Sequence, residues 1–186
     1  MPATVIPVKG LYLGFVGNIS NEGYSLRSAR QVNPADTNNI AFGETAVLNA
    51  NNTYSSVKTF IANGGTLTAS VPVGIATSNI NINSTYNVQG TNDVLTPGGQ
   101  YLPASMCDLL VQGTINVYCP NGTPTAGSAV YIRVALNGAI PNGVVGSLEA
   151  AADGGNSVLY PNFKWKTGFL EVDGTAQVTI LSRQIP

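Results

Sequence analysis

The amino-acid sequence predicts an all-β fold: a jelly-roll-like sandwich or barrel with long loops, room for an additional small β unit, and little helix. Three observations predict it. Short runs alternate apolar and polar residues with a period of two, the pattern of half-buried strands. Asn63-Gly64, Asn121-Gly122, Asn137-Gly138 and Asn142-Gly143 punctuate the chain with pairs that adopt the positive φ angles of tight hairpin turns. Helix signals are scarce, the best being residues 146–153, closed by Gly154.

Taken in order, residues 1–10 combine Pro2 and Pro7 with Val5, Ile6 and Val8. Proline fixes φ and removes a hydrogen-bond donor, so this segment reads as an extended arm. Chain ends commonly fray or sit at an edge; an arm this apolar also reads as a tail lying on a neighbouring subunit. It lacks a basic leader and reads as a mature cytosolic start. An N-terminal β unit follows over residues 11–87, with strands expected near 11–15, 24–32, 45–48, 56–61 and 66–71. Residues 88–103, rich in Gly, Pro, Thr and Asn, read as an ordered loop or crossover. They bound a C-terminal β unit, 104–186, that stands alone or joins the first in one domain.

The alternation is clearest in this second unit. Residues 104–111 read as a strand or a helical turn, and 113–118 as a strand. Residues 128–136 set Val130, Ile132, Val134 and Leu136 on one face, with Tyr131, Arg133 and Ala135 on the other. Phe163 and Trp165 alternate with Lys164 and Lys166, and Ala176, Val178 and Ile180 with Gln177 and Thr179. The turn Val172-Asp173-Gly174-Thr175 pairs these last two strands as a hairpin.

Composition narrows the function. There are eight Lys+Arg, nine Asp+Glu and no histidine. Charged residues make up 9% of the chain, where a typical soluble domain has about a quarter. Acid–base catalysis leans on His and on clustered carboxylates, so the sequence predicts no enzyme. Polarity comes instead from Asn, Thr, Ser and Gly, which cost far less to bury against a neighbour than ions do. The chain therefore reads as part of an assembly. Its scattered cations exclude a nucleic-acid stripe, and no apolar run approaches the ~20 residues of a membrane span.

No residues suggest a metal or a cofactor. Cys107 and Cys119 read as buried free thiols, able to pair only with their Cα atoms within about 7 Å. Glu171 and Asp173 are two apart, but turn chemistry accounts for Asp173. Asp36 with Asn38 and Asn39, and Asp153 with Asn156, make polar turns and no complete Ca²⁺ loop. Trp165 reads as a core aromatic beside Phe163 in preference to a sugar-stacking platform.

Several segments carry a family resemblance. Lys9-Gly-Leu-Tyr-Leu-Gly-Phe-Val-Gly-Asn-Ile-Ser20 and Ile40-Ala-Phe-Gly-Glu-Thr-Ala-Val-Leu48 are two of them. Gly127-Ser-Ala-Val-Tyr-Ile-Arg133 is a third. Strongest is the ending, Asn162-Phe-Lys-Trp-Lys-Thr-Gly168 followed by Gly174-Thr-Ala-Gln-Val-Thr-Ile-Leu-Ser-Arg183. Together they resemble the structural cement (capsid decoration) proteins of tailed bacteriophages, departing at residues 79–92, which are rich in Asn and Thr.

The resemblance implies a β-rich virion protein, made in the host bacterial cytoplasm, on the outer surface of the phage head. There it clasps neighbouring major capsid subunits and so stabilises the head. Its partners would be the major capsid protein and copies of itself, as a trimer or a dimer, with no nucleic acid and no membrane. The family brings no catalytic residues. Candidate capsid or subunit contacts are Pro2, Val5, Ile6, Pro7 and Val8 in the arm, Phe42, Gly43 and Glu44 in a turn, and Val94, Leu95 and Tyr101 in the 88–103 loop. The alternative is a carbohydrate-binding module or tail-associated adhesin, equally β-rich and poor in charge.

Overall fold

The computed structural model describes residues 16–20, 25–78, 99–170 and 174–185. The arm at 1–10, the strand expected at 11–15, Val94, Leu95 and the hairpin residues 172–173 lie outside them. Strands dominate: β1 (Leu26–Gln31), β2 (Ile40–Ala41), β3 (Thr45–Leu48), β4 (Tyr54–Ser56), β5 (Val73–Ala76), β6 (Gln100–Tyr101), β7 (Met106–Tyr118), β8 (Ala129–Arg133), β9 (Leu148–Glu149), β10 (Ser157–Phe169) and β11 (Thr175–Ile180). Among the described residues, one helix, α1 (Val57–Ala62), and a 3₁₀ turn at Gly154–Asn156 complete the regular structure. The all-β expectation holds, as a curled half-barrel.

The order β4-β3-β5-β7-β11-β10-β8-β9 forms one antiparallel sheet, while β2 and β6 pair separately. The pivot is β7. Its first half pairs with β1 on one side, and Leu109 and Leu110 also pair with β5; its second half, from Gly113 to Tyr118, pairs with β11. The change of partners falls at Gly113, whose φ of 122° is open to glycine and strained for other residues. Strands from both sides of the 88–103 segment thus share one sheet.

Alternation along β3, β5 and β7 feeds two cores. Val47, Ile75 and Leu110 face a larger core with Phe163, Trp165, Val178 and Ile132; Ala46, Ala76 and Leu109 face a second with Ile40, Phe42, Tyr101 and Ile185. These short strands are buried on both faces, so they lack the polar side that marks a half-buried strand.

Three local expectations are corrected. Of residues 56–61, expected as strand, only Ser56 ends a strand (β4); residues 57–61 belong to the helix α1. The Ser56 hydroxyl accepts the Thr59 N–H at 3.2 Å as an N-cap, and Asn63-Gly64 ends the helix, but β-branched Val57, Thr59 and Ile61 imitate a strand. Residues 66–71 carry no strand and turn on a Val71 N–H to Thr68 C=O bond of 3.0 Å. Residues 146–153 are not helical either: Leu148 and Glu149 pair with Ile132 and Tyr131 of β8. Tertiary pairing overrides a modest helix propensity there. Residues 104–111, left open between strand and helical turn, join β7 as strand from Met106 on.

Candidate functional site

The turn between β2 and β3 is a junction of the molecule. Its successive amides reach three separate segments and close the turn itself: Phe42 donates to Gly99 C=O (3.1 Å), Gly43 to Ala76 C=O (2.7 Å) and Thr45 to Gly146 C=O (3.1 Å), while Glu44 donates back to Ala41 C=O (3.1 Å). Gly43 is required at its φ of 76°, and a Cβ there would collide with Val16. Phe42 packs edge-on against Tyr101, ring centroids 5.2 Å apart. The Tyr101 hydroxyl donates to Thr77 C=O at 2.8 Å, and burial pushes its pKa to about 12.

Phe42, Gly43 and Tyr101 are therefore interior, and Glu44 alone of the turn keeps partial exposure. The Glu44 carboxylate accepts the Ala41 N–H at 2.9 Å and rests against Gly146. Burial pushes its pKa up to about 7, outweighing the Ala41 hydrogen bond and the field of Lys58.

A second polar centre went unrecognised in the sequence. Arg133 and Glu149 are both wholly buried and joined Nε to Oε1, and Arg133 Nη1 lies 2.9 Å from Asp153 Oδ2. Nη1 also donates to Ala135 C=O at 3.0 Å. Asn121 donates to Glu149 Oε2 at 3.2 Å, and Asn137 to Asp153 Oδ1 at 2.8 Å. Gly143 lies over the guanidinium so closely that a Cβ would sit 2.5 Å from Nε. Alternation placed Arg133 opposite Val130 and Ile132; the covering loop, residues 134–147, then buries it.

That loop contains no charged residue and carries Leu136, 74% exposed, and Val144, 57% exposed. Leu159, opposite Tyr131 across β8 and β10, is exposed as well. Met106, Leu181 and Phe169 add large exposed apolar side chains elsewhere on the surface. Trp165 is wholly buried and so offers no stacking platform.

Among the described residues, no group of three or more His, Cys, Asp or Glu is placed to hold a metal ion. Cys107 and Cys119 are buried free thiols. Burial raises Cys107 well above the usual thiol range and Cys119 to about 11, keeping both protonated and unreactive. The engaged carboxylates of Glu149 and Asp153 serve a guanidinium and hold a loop.

Comparison with known proteins agrees with this picture. The model of the structural cement protein family (E217 gp24/Pam3 gp6) matches residues 8–182. A search of curated proteins finds no match. In fold, the chain is similar to one in a solved structure described as the capsid of Myoviridae Phage XM1. The two share 14% sequence identity and a TM-score of 0.56, over 97% of this chain and 98% of the other. With its family model matched from residue 8 to residue 182, the chain belongs to the phage structural cement proteins.

Proposed function

We propose that this chain binds the outer surface of a tailed-phage head as a homo-oligomer and holds neighbouring major capsid subunits together. The match to the cement family across residues 8–182 carries this reading. The surface chemistry supports it: few charges, abundant neutral amides and hydroxyls, and large apolar side chains left exposed at Leu136, Val144, Leu159 and Met106. Such surface costs little to desolvate, so many weak contacts made together give firm attachment. The protein acts by binding, with no chemical step, and reaches the virion from the host cytoplasm.

Of the contact candidates, the arm residues Pro2, Val5, Ile6, Pro7 and Val8 and the loop residues Val94 and Leu95 are proposed as direct contacts. Phe42, Gly43 and Tyr101 hold the junction from within, beside Glu44. Co-sedimentation with heads lacking the protein tests the proposal. Saturable binding at a fixed ratio to the major capsid protein supports it, and failure to bind any head form refutes it.

A further inference from the structure

We propose that Asn137–Gly138 is a self-modification site: the Gly138 nitrogen attacks the Asn137 side chain, ammonia leaves, and the carboxylate that results unties the turn at residues 137–140 from Asp153.

Asparagine followed by glycine is open to this reaction because glycine has no side chain to crowd its nitrogen. The chain has four such pairs, and the fold treats them differently. The Gly64 N–H donates to Ile61 C=O at 2.9 Å, and the Gly143 N–H to Ile140 C=O at 3.0 Å. A bonded N–H gives up its proton slowly, so neither nitrogen is a ready nucleophile. At the third pair, the Asn121 amide donates to Glu149 Oε2 and to Ala151 C=O. Gly122 packs there so closely that a Cβ would sit 2.6 Å from the Ala151 nitrogen. Gly138, by contrast, is exposed, and its N–H has no hydrogen bond among the described residues.

The Asn137 side chain is held as the electrophile. Its Oδ1 accepts the Ala139 N–H at 3.0 Å, so a backbone donor already faces the oxygen on which negative charge gathers during attack. In the step, Gly138 loses its N–H proton to solvent hydroxide and the N–Cγ bond forms. The Cγ–Nδ2 bond breaks, and Nδ2 takes a proton from water and leaves as ammonia. Water then opens the cyclic imide at either carbonyl, giving aspartate or isoaspartate. Nothing is oxidised or reduced.

The product sets a carboxylate where Asn137 Nδ2 donated to Asp153 Oδ1 at 2.8 Å. Two anionic oxygens repel at that distance, and Arg133 already serves both Glu149 and Asp153. The turn closed by the Ile140 N–H to Asn137 C=O bond of 2.9 Å thereby loses its side-chain anchor. Leu136, 74% exposed, is the residue before it, so the change alters a surface available to a partner. That last consequence rests on the capsid-binding reading; the modification itself does not.

The test incubates the whole chain in mildly alkaline buffer and follows each Asn-Gly pair by peptide mapping with mass spectrometry. Asn137 is expected to convert at least about tenfold faster than Asn63, Asn121 or Asn142, and the four rates to converge in urea, where the hydrogen bonds that rank them are lost. Gly138→Ala slows the reaction at least about tenfold by crowding the nitrogen. A Cβ there meets nothing within 4 Å and the residue lies outside the left-handed region, so the fold is kept. In Asn137→Asp, amide hydrogen exchange at Ile140 rises at least about tenfold. Conversion led by another pair, a ranking that persists in urea, or Ile140 protection undiminished in Asn137→Asp overturns the proposal. Head binding is then compared for fresh and converted chain. A chain that converts as expected while neither form binds heads keeps the site and refutes the capsid reading.

Discussion

Arg133 and Glu149 form an ion pair with no exposed surface on either side chain, sixteen residues apart in sequence and one strand apart in the sheet. The pair sits on the outer face of β8, where the 134–147 loop folds over it and Asp153 closes its far side. A buried ion pair gains little net stability, because desolvation consumes most of the attraction. Its effect here is positional: it fixes where an uncharged loop with two exposed apolar side chains lies.

Removing one partner leaves the other charged, buried and unmatched. Arg133→Met is expected to destabilise the fold by about 3–5 kcal/mol, read by chemical denaturation. The double variant Arg133→Met/Glu149→Leu recovers most of that loss, because no unpaired buried carboxylate remains at position 149. Equal destabilisation of single and double variants would contradict the account.

Glu44 makes stability depend on pH in a definite direction. Its folded-state pKa is raised to about 7 from an unfolded value of 4.5, so the folded chain holds the proton more tightly. The contribution is fully present below pH 4.5 and is lost as pH rises through 7. Glu44→Gln removes this slope and is more stable than wild type at pH 8, by about 1–3 kcal/mol. Urea denaturation of both proteins at several pH values measures the difference.

Trp165 is the single tryptophan and is wholly buried among the larger core's residues. Trp165→Ala is expected to cost about 3–5 kcal/mol, and Trp165→Phe substantially less. Native wild-type emission should be blue-shifted and move to the red on unfolding. Red-shifted native emission quenched by small solutes would place the indole at the surface and refute the core assignment.

Leu136 and Val144 are exposed, so Leu136→Ser/Val144→Ser should leave folding stability within about 0.5 kcal/mol of wild type. Under the proposed function the same variant binds heads more weakly, in a sedimentation titration against wild type. Unchanged head affinity would remove this loop from the contact surface.

The alternating runs of the second half were legible because one face of each is core and the other is not, as in Ala176, Val178 and Ile180 against Gln177 and Thr179. The central strands were harder. β5, Val-Gly-Ile-Ala, is buried on both faces, and two cores erase its period. At α1, side-chain branching spoke for a strand while the Ser56 cap and Asn63-Gly64 spoke for a helix, and the local hydrogen bonds prevailed. The Arg133 cluster was hidden for another reason. Its members lie on β8, on β9 and just beyond it, and nothing in their spacing signals that a glycine loop closes over them. The Phe42–Glu44 turn stood out in the sequence, but its several backbone partners emerge only in three dimensions.

The clamping claim is tested most directly by the survival of heads. Purified heads lacking this protein are compared with heads saturated by it, under rising temperature and under chelator, with intact particles counted by sedimentation and microscopy. The account predicts that decorated heads survive conditions that rupture bare ones, in proportion to bound copies. Decorated and bare heads that fail together, despite saturable binding, would contradict it.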